Sequence, residues 1–194
     1  MLHKMRKIIL VMVLLFSIGG YAQRKNDGWA IQGHYGIMKG EGQISKFAST
    51  ASVGVSHYPG SKGFLIEANL FVNDSYVDKD KFNLPYRLYG LNVIGGWSYE
   101  NLQPVFINLK AGLIGGFEQV NNGNKTTNWN NLEGVPLQVD TDRFVYGAVI
   151  SPEIELAIWR NLSGTVSFSQ YWNLRSDVSE WKYSGNIGLK WYLN

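Results

Sequence analysis

The sequence predicts an all-β fold: an eight-stranded antiparallel up-and-down transmembrane β-barrel preceded by a cleavable signal peptide. Three observations predict it. Aromatic residues make up 14% of the 194-residue chain and charged residues only 17%, with 22 glycines; an ordinary soluble protein carries about 25% charge. Apolar and polar residues alternate with period two along almost all of the chain after its leader. The charges within those alternating segments fall on one register, except at a strand end.

The leader comes first. His3, Lys4, Arg6 and Lys7 form a basic start, Ile8 to Phe16 an apolar run, and Ser17 to Ala22 a small-residue stretch. Gly20 and Ala22 suit a signal-peptidase site. A membrane helix needs about 20 apolar residues, so the run reads as a signal rather than an anchor. Residues 1–22 are therefore expected to be removed, with 23–194 forming one barrel domain. Losing Lys4, Arg6 and Lys7 takes the 18 basic residues to 15, equal to the 15 acidic ones. The basic isoelectric point then gives no support to nucleic-acid binding.

Strands follow at about 28–38, 47–58, 64–77 and 86–99. The fifth is the clearest: Val105, Ile107, Leu109, Ala111, Leu113, Gly115 and Phe117 alternate with Phe106, Asn108, Lys110, Gly112, Ile114, Gly116 and Glu118. Phe144 to Ile158 repeats the pattern, then 162–173, then Trp181 to Leu193. Each segment has roughly the length that a tilted strand needs to cross a bilayer. Glu67, Lys110, Glu118, Glu153, Glu155, Lys182 and Lys190 all sit on the polar register. Arg87 falls on the apolar one, at a strand end. The apolar residues are too large and numerous to fill an eight-stranded lumen, so they are assigned to the lipid side.

Connections at 59–62, 100–104 and 159–161 are short. Those at 39–46, 73–85, 119–143 and 174–180 read as long. Transmembrane barrels place short turns in the periplasm and long loops outside. On that orientation Trp29, Phe64, Trp97, Tyr99 and Trp191 form a lower aromatic girdle. Phe117, Phe144, Trp172, Trp181 and Tyr183 form an upper one.

Glu67, Lys110, Glu153, Glu155 and Lys190 are expected in the lower lumen as a charge network. A lone charge there is costly, so they should neutralise one another, Lys110 with Glu153 or Glu155. With no Cys in the chain, disulfides, thiolate zinc sites and a cysteine nucleophile are excluded. His34 and His57 have no neighbours in sequence that make a metal site. Gly112–Gly116 lies within a strand with no helix after it and is not a dinucleotide loop. No catalytic residue, cofactor or metal is expected.

The residues also resemble a known family, the conjugal transfer protein TraO of conjugative transposons of Bacteroidota. The likeness lies in Ala111–Val120 running into Asn121, and in Phe144-Val145-Tyr146-Gly147 followed by Glu153 and Glu155. It continues in Gly188-Leu189-Lys190 with the closing Leu193-Asn194, the Leu84-Pro85 step and the opening Trp29–Gly40 strand. It spans essentially the whole chain. The resemblance implies a non-enzymatic outer-membrane component of a type IV secretion-like conjugation apparatus. Its partners would be outer-membrane lipid and other transfer proteins, with no direct nucleic-acid contact. The alternative is a general small outer-membrane barrel: an adhesin, a ligand-binding protein or a lipid-modifying enzyme.

Overall fold

The computed structural model describes residues 27–40, 48–60, 63–79, 82–124, 126–129, 132–136, 142–176 and 178–193. The expected signal peptide at 1–22 and most of the 39–46 connection lie outside them. The described strands are β1 (Gly28–Gly40), β2 (Ala48–Tyr58), β3 (Phe64–Lys79), β4 (Phe82–Leu102), β5 (Val105–Val120), β6 (Thr126–Trp129), β7 (Leu132–Pro136), β8 (Asp142–Trp159), β9 (Leu162–Leu174) and β10 (Trp181–Leu193). Eight of them close into a barrel in the order β1-β10-β9-β8-β5-β4-β3-β2. The last strand meets the first from Trp29↔Leu193 to Gly40↔Lys182, antiparallel throughout. Closure removes the unpaired edges that hydrocarbon does not tolerate. β6 and β7 pair with each other as a separate hairpin inside the β5–β8 connection.

The faces divide as period two requires. On β5, Leu109 and Leu113 point out, 60% and 72% exposed, while Asn108, Lys110 and Glu118 are buried inside. The expected lower girdle, Trp29, Phe64, Trp97, Tyr99 and Trp191, is exposed at the short-turn end. At the other end Trp172 stacks on Trp181 with ring centres 5.9 Å apart.

Two connections differ from the sequence reading. Residues 73–85 are mostly strand: the β3–β4 ladder continues from Asn73↔Leu88 to Lys79↔Phe82. Asn73-Asp74-Ser75 and Pro85 resemble a turn in sequence because above the bilayer neither face needs to be apolar. Pro85 stands at an edge, since β4 pairs with β5 only from Tyr86↔Val120 onward, and proline tolerates edges. The 119–143 connection is shorter than expected, because β5 runs to Val120 and β8 starts at Asp142.

Strand lengths are unequal. β1, β2, β9 and β10 have 13, 11, 13 and 13 residues. At about 3.3 Å per residue and a tilt near 40°, these just cross a hydrocarbon core. β3, β4, β5 and β8 have 16, 21, 16 and 18, so one half of the wall overhangs. Outward-facing Arg87 and Asp74, 3.5 Å apart, mark the top of the apolar band on β3 and β4. Five more ladder rows rise above them.

Nor is the lumen polar throughout. Its upper part holds a buried apolar cluster that includes Met38, Phe71, Val77, Leu84, Leu88 and Val145. Its floor is closed by Ala30, Tyr58, Leu65 and Tyr192, with Phe106 against Ala157 nearby.

Candidate functional site

Between floor and upper cluster lies a charged layer. Period two turns Glu67 of β3, Lys110 of β5, Glu153 and Glu155 of β8 and Lys190 of β10 inward, all five buried. The structure links them into one chain of alternating sign. Lys110 Nζ lies 2.7 Å from Glu67 Oε1 and 2.7 Å from Glu153 Oε2. Lys190 Nζ lies 3.0 Å from Glu153 Oε1 and 3.1 Å from Glu155 Oε2. The order is thus Glu67, Lys110, Glu153, Lys190, Glu155.

Register explains why Lys110 reaches Glu153. Glu153 stands opposite Asn108, two residues below the row where Lys110 faces Ser151. The lysine stem covers that offset. Glu155, another two residues down, is served by Lys190 instead.

Neutral donors complete the shell. Asn108 Nδ2 donates to Glu153 Oε1 at 2.8 Å and to Glu155 Oε2 at 3.3 Å. Gln32 Nε2 donates to Glu67 at 3.2 Å and to Asn69 Oδ1 at 2.6 Å. Lys190 donates to the Tyr58 hydroxyl at 2.9 Å, and the Tyr192 hydroxyl donates to Glu155. Among the described residues, the two terminal carboxylates thus meet an ammonium and uncharged donors. Low dielectric strengthens each such contact and raises the cost of losing one.

A second ionic cluster, which the sequence reading did not assemble, sits among the upper apolar residues. Glu118 of β5 accepts from Tyr86 OH at 2.6 Å and from Ser176 Oγ at 2.8 Å. Lys182 Nζ lies 3.4 Å from Glu118 Oε1, against the Tyr86 hydroxyl and 4.9 Å from its ring centre. The polar register marks Glu118 and Lys182 as inward. Their meeting across the lumen depends on strand order and shear, which the sequence does not display.

His34 faces the lumen with Nε2 3.7 Å from Glu153 Oε2. It borders a polar cavity of about 30 Å³ that Asn92, Ser151 and Ser167 also line, room for one or two waters. His57 is on the outer wall, stacked on Trp29 at 4.4 Å. Among the described residues no cluster of three or more His, Cys, Asp or Glu is arranged to hold a metal. The layered lumen is built to be filled: each carboxylate meets an ammonium and neutral donors, and apolar groups close both ends.

This pattern, apolar outside and ionic inside, is what hydrocarbon solvent demands of a closed sheet. The protein is a small transmembrane β-barrel of the outer-membrane type. It is similar to the crystal structure of Neisserial surface protein A, with a TM-score of 0.57 and 10% identity over 84% of this chain and 96% of that one. It is similar to Ail, the attachment invasion locus protein of Yersinia pestis, in complex with the heparin analogue sucrose octasulfate. There the TM-score is 0.53 and the identity 9%, over 86% of this chain and 97% of that one. Outer membrane protein OprG of Pseudomonas aeruginosa gives 0.52 and 9%, over 87% and 97%. At such identities the likeness is one of fold. No family model and no curated protein matches the sequence.

Proposed function

We propose that this protein is a non-enzymatic barrel of the bacterial outer membrane, exported by residues 1–22, that acts through its long-loop rim. The observation that carries the proposal is the filled lumen. Two ammoniums bridge three carboxylates there, neutral donors hold the remaining negative charge, and apolar side chains close the space above and below. A barrel that conducts nothing offers its rim as the working surface. Here the overhanging β3, β4, β5 and β8 raise that rim on one side. The names of two similar barrels, a surface protein and an attachment invasion locus protein, favour the adhesin or ligand-binding form of this reading.

The test is electrical. Purified protein inserted into planar bilayers gives no stable large-conductance openings, while the same preparation shifts in gel mobility on heating. Nanosiemens openings would overturn the plugged-barrel reading.

The likeness to the TraO family gives the narrower form, in which the rim docks other subunits of a conjugative DNA-transfer apparatus. Its support is the sequence resemblance alone. Deleting the gene lowers transfer frequency on this form, and restoring it recovers transfer. Unchanged transfer would leave the general surface role.

A further inference from the structure

The turn between β8 and β9, at the short-turn end, carries a feature that the lumen does not use. Trp159 and Trp191 stand outward there, 74% and 53% exposed. With Arg160, Asn161 and Leu162 they line a surface groove of about 490 Å³. Leu162 stands opposite Trp191 in the β9–β10 ladder. The turn is fixed to the wall beside it, because the Tyr192 amide donates to the Asn161 carbonyl at 2.8 Å. Arg160 is exposed, and among the described residues no carboxylate lies within ion-pair distance of it. By contrast, Arg87 at the opposite rim is held by Asp74 at 3.5 Å.

We infer that this groove is a phospholipid site, in which Arg160 binds the phosphate and the two indoles with Leu162 hold the glycerol and upper acyl segment. The inference rests on the membrane-spanning reading above, with the short turns facing the inner leaflet. Three features commit the groove to this occupant. Its wall belongs to the lower aromatic girdle, the level at which headgroup meets hydrocarbon. Its one charged lining side chain is a guanidinium that meets no carboxylate among the described residues, and the planar fork matches phosphate oxygens two at a time. Its remaining surface is aromatic and aliphatic, which suits acyl chain and glycerol rather than a free anion.

The test is lipid retention in native mass spectrometry. Purified protein in detergent is given palmitoyl-oleoyl phosphatidylglycerol, or the matching diacylglycerol, which has no phosphate. The wild-type protein retains one phosphatidylglycerol and little diacylglycerol. Arg160→Gln lowers the retained fraction about tenfold, the effect of one charge-assisted contact. Arg160→Lys restores part of it, and Arg87→Gln leaves it unchanged. Trp159→Ala lowers it as well. Equal retention by Arg160→Gln and wild type, equal retention of diacylglycerol, or an equal loss in Arg87→Gln would overturn the site. Each variant is checked for heat-modifiable mobility and insertion into phosphatidylglycerol vesicles. A wild-type protein that inserts yet retains no lipid refutes this site alone; one that fails to insert refutes the spanning reading.

Discussion

Asn108 and Leu109 are neighbours in sequence and opposites in environment. Asn108 is fully buried and donates to two carboxylates; Leu109 faces outward. Ordinary protein intuition therefore inverts here. Leu109→Arg puts a charge in hydrocarbon and costs about 2–4 kcal/mol near the midplane. Asn108→Leu is expected to destabilise as well, by about 1–3 kcal/mol, since Glu153 and Glu155 each lose a donor. Leu109→Phe should be close to neutral. Urea titrations in lipid, scored by heat-modifiable migration, check all three; a stabilised Asn108→Leu would contradict the register.

The charge chain gives a second prediction at this scale. Among the described residues Lys110 is the one cation bonded to Glu67, whereas Glu153 also has Lys190. Lys110→Met alone strands Glu67 and should cost about 3–5 kcal/mol. Adding Glu67→Gln should recover much of that loss, and adding Glu153→Gln should recover less, because it leaves Glu67 stranded. A double-mutant cycle measures the coupling. Strictly additive losses for Lys110 and Glu67 would mean that the pair is not formed.

At the scale of elements, β6 and β7 share a ladder with each other and with no barrel strand. Replacing residues 124–140 by a short Gly-Asn linker is expected to leave the β5–β8 ladder intact up to Gln119↔Asp142. The shortened protein should still fold into a heat-modifiable barrel in liposomes. Loss of that barrel would assign the hairpin a structural role.

The same scale shows what was legible in the sequence. The eight barrel strands and their two faces follow from alternation, because lipid on one side and a narrow lumen on the other force each position to choose; that the charged face points inward follows from the bulk and number of the apolar residues, too great for a small lumen. Where the solvent changes, the signal fades. The upper parts of β3 and β4 rise beyond the lipid, so Asp74, Tyr76 and Pro85 follow no apolar rule and the segment reads as a loop. Inside, Val77, Leu84 and Val145 are as apolar as the outer wall, so composition does not reveal that the upper lumen is filled by them. Pairing across the lumen, as between Glu118 and Lys182, needs shear and strand order, which no local pattern encodes.

For the whole molecule, the central claim is that the apolar face of the closed sheet meets lipid and the ionic face fills the interior. The chain contains no cysteine, so single cysteines can be placed without competing thiols. Spin labels at successive positions from 106 to 114 on β5, in protein reconstituted into liposomes, read lipid contact through collisions with molecular oxygen. The account predicts a period of two, with maxima at Ile107, Leu109, Ala111 and Leu113. Minima fall at Phe106, Asn108, Lys110, Gly112 and Ile114, and a polar aqueous quencher reaches neither set at mid-strand. Maxima on the even positions, or odd positions open to the aqueous quencher, would contradict it.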